Sequence, residues 1–198
     1  MKIHFNALFF GTLFLLSSCH SQHQPVAYKG YVIDPSIKAE VEKEVQKLPT
    51  GFEGSMYIKM FENDSLLLDS YKEGKAMECF MLPFLESDTA TIIGSLGFTA
   101  ASGFYIYFLK DTCIIRHFAK SDAEIYKLHP EDSLSFEVLV PSKSYTLTLI
   151  APPQLKKGGL VEGRLDLVSE EYHEVANGAD NKLRTELTGY FKVKLNSH

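Results

Sequence analysis

The chain of 198 residues has no tryptophan, only three cysteines and no surplus of positive charge, its formal net charge being -5. Three cysteines are too few for a small domain held together by a disulfide framework. Mild acidity, with no basic patch interleaved with aromatics, argues against a nucleic-acid partner. The signatures of chemistry are missing as well. Gly94-Ser95-Leu96-Gly97 is not a Gly-x-Ser-x-Gly nucleophile elbow, and no strand-turn-helix pattern surrounds it. There is no glycine motif that cradles phosphate and no His-Glu-x-x-His. No catalytic residue, metal or cofactor is therefore assigned. Internal repeats and low-complexity segments are absent too.

What is present begins at the N-terminus. Met1-Lys2 gives a short positive start, and Phe9-Phe10-Gly11-Thr12-Leu13-Phe14-Leu15-Leu16 forms an apolar run. The run is too short to span a bilayer, which takes roughly 20 apolar residues. It ends in Leu16-Ser17-Ser18-Cys19, which resembles the lipobox of bacterial lipoproteins. The resemblance implies a signal peptide over residues 1–18, cleavage before Cys19, and acyl chains on that cysteine as the lipid attachment. Several acyl chains hold a protein at a membrane, where one alone binds marginally. In that family an aspartate after the cysteine favours the inner membrane. Here the residue is His20, which points to the outer membrane of a Gram-negative envelope. Acidic residues just downstream direct some lipoproteins to the cell surface. Residues 20–24 contain none, which weighs against the surface face without deciding between it and the periplasmic one.

The processed chain, residues 19–198, is long enough for one domain with a real core. Residues 19–33 read as a lipidated tether, polar at first and broken by Pro25 and Gly30, and residues 34–198 as the domain. The remaining Cys79 and Cys113 form an even pair. An oxidising compartment could join them in one disulfide, or they are two buried thiols.

Asp34-Pro35 reads as an N-cap followed by proline at the first helical position. Ile37, Val41, Val45 and Leu48 fall on one stripe opposite Lys38, Glu42 and Lys43, which predicts an amphipathic helix over residues 35–47. From Gly54 onward the period becomes two. Residues 55–61 and 66–71 flank Glu62-Asn63-Asp64-Ser65, a hairpin signal. A strand from Ala76 is expected to end at Pro83. Residues 104–109 and 113–118 flank a second turn. Val161, Gly163, Leu165 and Leu167 alternate with Glu162, Arg164 and Asp166. Leu187, Gly189, Phe191, Val193 and Leu195 do the same against Glu186, Thr188, Tyr190, Lys192 and Lys194. One buried and one wet face is the mark of antiparallel sheets. The fold class expected is all-β: an antiparallel β-sandwich or sandwich-like barrel of about nine to eleven strands, with one N-terminal amphipathic helix.

Residues 89–109 carry no charge. Their glycines, hydroxyls and β-branched residues argue against a membrane helix and for two strands buried on both faces. A sharper expectation is an apolar, glycine-lined surface for a ligand or partner.

Few side chains invite a functional assignment. Glu170-Glu171-Tyr172-His173-Glu174 is the densest ionisable cluster, and Glu171 with His173 is the best acid–base pair the chain offers. His117 and His129 are isolated. Tyr105, Tyr107, Tyr126 and Tyr190 are the candidate ligand contacts, since aromatic faces stack on sugars. Together these observations point to a membrane-anchored, non-enzymatic binding or assembly protein with an envelope protein or glycan as partner. The alternative is an envelope hydrolase acting on glycan or peptide. A protruding loop at residues 176–182 would instead suit an inhibitor or chaperone-like cap.

Overall fold

The computed structural model describes residues 26–195 apart from 75, 88, 110 and 111. The signal peptide and Cys19 lie outside the described residues. The strands are β1 (Val26–Tyr28), β2 (Tyr31–Ile33), β3 (Gly54–Glu62), β4 (Ser65–Asp69), β5 (Met77–Glu86), β6 (Thr89–Leu96) and β7 (Ala101–Leu109). They continue with β8 (Thr112–Lys120), β9 (Tyr126–Lys127), β10 (Glu137–Leu149), β11 (Leu160–Ser169), β12 (Tyr172–Ala176) and β13 (Ala179–Lys194). A 3-10 turn (Pro35–Ile37) leads into the one helix, α1 (Lys38–Val45).

Eight strands form a closed cycle. Following the chain, β3, β5, β6, β7, β8, β10, β11 and β13 each pair antiparallel with the next, and β13 returns to β3. The all-β expectation holds, in its barrel form. Closure gives each strand of the cycle a neighbour on both sides over at least part of its length. An eight-stranded barrel has an interior just wide enough for side chains to fill. Here Met56, Ile92, Phe104, Ile115, Leu165 and Phe191 are among those that fill it. The alternation in the last strands places Val161, Leu165, Leu187, Phe191 and Val193 inside, as their period required.

Two glycines on β6 and β13 have packing roles. A Cβ on Gly94 would lie 2.3 Å from Phe104 Cζ, and one on Gly189 would lie 3.1 Å from Phe104 Cε1. The Phe104 ring therefore occupies space that any other residue at Gly94 would take. Part of the glycine content of residues 89–109 thus serves the interior. These strands are also not buried on both faces: along β6, Ala90, Ile92 and Gly94 are buried while Thr91 and Ile93 are half-buried.

The structure corrects three other expectations. β5 runs through Pro83 to Glu86. Past Cys79 its only strand partner is β6, so proline's missing N–H interrupts no ladder. Leu134, Phe136, Val138 and Val140 alternate in the sequence, as do Tyr145, Leu147 and Leu149, which reads as two strands; residues 137–149 instead form one strand, β10, which passes from β8 to β11 at Pro141 with an irregularity between Ser142 and Ser144. Within residues 19–33, expected as a tether, β1 and β2 form a hairpin, with β2 parallel to β10. Tyr31 packs edge-on against Phe108, with centroids 6.3 Å apart, and Ile33 is buried.

The helix begins as its sequence required, with Asp34 Oδ1 accepting from Ser36 N at 2.9 Å and Pro35 following. It lies on the outside of β11, β13 and β3 with Val41 buried beneath it. Glu40 fastens it, accepting from Tyr190 Oη at 2.6 Å and from Arg164 Nη1 at 3.1 Å. Arg164 also reaches Asp166 Oδ1 at 2.8 Å and lies over the Tyr190 ring. These groups are partly solvated, so the clasp is worth modestly more than a surface ion pair. Glu40→Ala is expected to destabilise by about 1–2 kcal/mol. Combined with Tyr190→Phe it should cost less than the sum of the two, because they share a partner. A thermal-denaturation double-mutant cycle checks this, and strict additivity would rule the clasp out.

Candidate functional site

The wall of the barrel is interrupted where β3 divides its outer edge between two partners. Gly54, Ser55 and Met56 pair with β5, whereas Lys59 to Glu62 pair with β4. Asn63 and Asp64, at φ 47° and 64°, make the two-residue turn that folds β4 back on β3. This is the left-handed turn that suits a tight hairpin. Between the two pairings, Ser70 Oγ accepts from Ile58 N at 2.8 Å and Ser70 N donates to Ile58 O at 3.0 Å, so the β3 edge stays satisfied. β4 itself has β3 on one side and, among the described residues, no strand on the other.

Three consecutive leucines in a strand cannot all face one side. The register shift at Met60/Phe61 leaves Leu67 without a partner opposite, and Leu66, Leu67 and Leu68 are all exposed, Leu67 by 59%. Beside them a cavity of about 740 Å³ opens among Phe52, Leu68, Met77, Phe80 and Leu96. It shares Leu68, Met77 and Leu96 with a second cavity of about 250 Å³ that runs on to Ile58, Met60 and Tyr126. Phe52, Phe80 and Phe98 form a continuous aromatic row, with centroids 4.6 Å and then 4.2 Å apart. Phe98, in the β6–β7 turn, is 70% exposed. Glu73 and Glu78 line the first cavity and Lys120 the second. None of the three is held in an ion pair among the described residues. The cleft is thus apolar along its floor, with a few charged side chains in its lining, and meets the outer edge of β4 at Leu68.

The residues singled out from sequence fall elsewhere. Tyr105 and Tyr107 stack on the outside of β7, 5.5 Å apart and 3° from parallel. Tyr105 Oη donates to Glu137 Oε1 at 3.1 Å, and burial followed by that carboxylate pushes its phenol up to about 12. Tyr190 is covered by α1, and burial with the bond to Glu40 raises its pKa. Tyr126 packs against the buried Tyr172 at 6.3 Å and reaches the cleft only at its far end.

Glu171 pairs with Lys182 at 3.2 Å. His173 Nδ1 lies 2.7 Å from Asp180 Oδ1, and Lys127 Nζ sits 2.6 Å from Asp180 Oδ2. These are bonds that knit β12, β13 and β9 together. Neither side chain lines the cavities described above, and the acid–base pair gains no third partner from a distant strand. Residues 176–182 are the tip of the β12–β13 hairpin, turning at Asn177 and Gly178.

Cys79 and Cys113 are free and buried, so no disulfide joins them. Cys113 faces Phe108, Phe108 faces Ala90, and Ala90 faces Leu85, which lies six residues along β5 from Cys79. At about 3.3 Å per residue that is some 20 Å, against the roughly 7 Å between Cα atoms that a disulfide tolerates. Burial pushes both thiols up to about 12, far from a reactive thiolate. Among the described residues no helix is long and apolar enough to cross a membrane, and no cluster of three or more metal-ligating side chains occurs.

Residues 89–109, expected to offer an apolar, glycine-lined surface, supply Leu96, Gly97 and Phe98 to one wall of the cleft, and sequence reasoning missed the other wall. Its signal was Leu66-Leu67-Leu68, a run that breaks the period of two. Compared with protein-family models, with curated proteins and with solved structures, the chain matches none.

Proposed function

We propose that this chain is a lipid-anchored envelope protein of the non-enzymatic binding or assembly type, held in the outer membrane through Cys19, whose barrel displays a docking surface to another envelope protein. The observation that carries the reading is the uncovered apolar cleft beside β4. A monomeric surface rarely leaves a contiguous apolar patch open unless something binds there. The filled barrel interior supports the same view, since a ligand has no room inside. A polar groove lies beside Tyr71 and Tyr145, and its Asp166 is already engaged by Arg164 and Thr188. A glycan would have to displace those bonds, which favours a protein partner at the cleft.

Fractionation of cells making the full chain and Cys19→Ala tests the anchor. The full chain is expected in the membrane pellet and labelled by palmitate, and Cys19→Ala in the soluble envelope fraction without label. Pull-down from gently solubilised envelopes, with the full chain and with Phe98→Ala, tests the surface. A partner lost on Phe98→Ala supports the reading. A soluble, unlabelled full chain, or a partner indifferent to Phe98, overturns it.

A further inference from the structure

We infer that the end of the barrel where β10 turns into β11 rests on the phosphate headgroups of the anchoring membrane through Lys156, Lys157 and Lys194, so that the Phe98 end points away from it. The inference rests on the lipid-anchor reading above and adds to it the face that meets the membrane. Three observations carry it: a cluster of unpaired cations, a local absence of acid, and the reach of the chain before Val26.

Backbone bonds gather the cations. Gly158 N donates to Leu195 O at 2.7 Å and Leu195 N to Gly159 O at 2.8 Å, which pins the loop between β10 and β11 to the end of β13. Gly159 N donates to Lys156 O at 2.8 Å and closes the loop on itself. The stem of Lys194 runs beside it, with Cε 3.7 Å from where a Cβ on Gly158 would stand. All three lysines are exposed, and none is in an ion pair among the described residues. Like charges held together repel, and an anionic surface relieves that repulsion.

The chain has 25 acidic residues, yet none falls between Glu137 and Glu162, and Glu162 is already held by Lys192 at 2.6 Å. Beside the lysines stand Ala151, Pro152 and Leu160, exposed apolar groups that suit the boundary of the headgroups. The formal net charge of the whole chain is -5. The rest of the molecule is therefore on balance repelled by anionic lipid, and the lysines set the orientation.

The anchor brings the same end within reach. Val26 lies opposite Ile33, Ile33 opposite Leu149, and Leu149 opposite Gly163 near the root of the loop. Three strand spacings are about 15 Å. From Cys19 to Val26 the chain spans at most about 25 Å, even fully extended. The β1–β2 hairpin docks at the β7–β8 turn, where Cys113 N donates to Lys29 O at 3.1 Å. Phe98 lies beyond the opposite end of the nine-residue β7, about 30 Å away at the rise of a strand. The anchor falls short of it.

The experiment uses the lipidated chain in vesicles that carry a lipid with a nitroxide on its headgroup, which quenches a dye only at short range. The dye is placed at Gln154→Cys in the loop or, in a second protein, at Thr99→Cys beside Phe98, both exposed positions. Cys79 and Cys113 are buried and leave that dye as the reporter. In vesicles rich in phosphatidylglycerol, quenching at residue 154 is expected to exceed that at residue 99 by at least about fivefold, the factor that one lysine brings near an anionic surface. Lys156→Glu with Lys157→Glu and Lys194→Glu should remove the difference, and so should phosphatidylcholine vesicles or high salt. The three lysines are exposed, so the variant should fold, which circular dichroism checks, and the lipid and salt arms test the unaltered lysines. Equal quenching at the two positions, or a difference that survives the triple variant or high salt, overturns the inference. So does quenching unmoved by the triple variant while a pull-down partner is lost, which would assign the lysines to an acidic protein. A chain that floats with the vesicles but shows no preference keeps its anchor, and this inference falls alone. A chain that carries no lipid and floats with neither kind of vesicle removes the anchor reading and this inference together.

Discussion

Replacing Phe104 by alanine should remove about 3–5 kcal/mol of stability, the range for deleting a fully buried phenylalanine side chain. Phe104 is 1% exposed, on the inward face of β7 among Met56, Ile92, Ile106 and Phe191. For a domain of this size each kcal/mol moves Tm by roughly 2–4 °C, so the midpoint should fall by about 6–20 °C. The sharper version concerns its neighbour. Gly94 sits mid-strand, where alanine ordinarily gains because it has less freedom to lose. Here the added methyl would meet the Phe104 ring at 2.3 Å, and a Phe104 pressed between Gly94 and Gly189 has no free side to swing toward. Gly94→Ala is therefore expected to destabilise by about 1–3 kcal/mol, the cost of overpacking a filled core. In a Phe104→Leu background the same change should cost much less. Chemical denaturation of the four proteins decides it: a stabilising Gly94→Ala, or a penalty unchanged by Phe104→Leu, would refute the packing account.

That pair of residues shows where the sequence was legible and where it was not. The alternation of Leu187, Gly189, Phe191, Val193 and Leu195 named the inward face of β13 correctly, because burial on one side of a pleat is a local rule. The Asn63–Asp64 turn and the Asp34–Pro35 helix start were equally local. Gly94 was legible only as an oddity, since its reason lies on a neighbouring strand in the ring of Phe104. Pro83 misled because proline usually marks a strand end, and only the sheet order shows that β5 has β6 alone beside it there, leaving its other side without a ladder among the described residues. Tyr190 looked like an exposed aromatic by its alternation with Leu187 and Phe191. Tertiary structure laid α1 over it and spent its hydroxyl on Glu40. The cleft was hidden for the same reason: Leu66, Leu67 and Leu68 could be placed on a strand, but not at an edge beside Phe98. Closure of the barrel likewise depends on β13 meeting β3, a pairing across more than a hundred residues of chain.

Acid should weaken this fold because of one side chain. His117 is fully buried on β8, Nδ1 lies 2.8 Å from Gly103 O, and Nε2 is buried with no partner among the described residues. Its ring lies 5.4 Å from that of Tyr172, whose own hydroxyl is turned to Thr185 at 3.4 Å. Nδ1 must carry the proton it shares with a carbonyl, so a second proton would land on Nε2 and leave an unsolvated cation. Burial accordingly lowers the imidazole from 6.5 to about 4, the bond to Gly103 opposing this only in part. The sign follows from linkage. Between pH 6.5 and 4 the unfolded chain binds a proton at His117 that the folded chain refuses, so stability falls as pH falls through that window. At about 1.4 kcal/mol per pH unit the loss accumulates to about 3 kcal/mol by pH 4. Because the group has no contact with solvent, salt should change this loss little, unlike the surface pairs around Asp180. His117→Leu should be somewhat less stable at pH 7, where it leaves the Gly103 carbonyl unpaired, yet nearly level between pH 7 and 4.5. Urea unfolding of both proteins across that range, at low and high salt, provides the check. A wild-type stability that stays level to pH 4.5, or a decline that survives in His117→Leu, would place the acid sensitivity elsewhere.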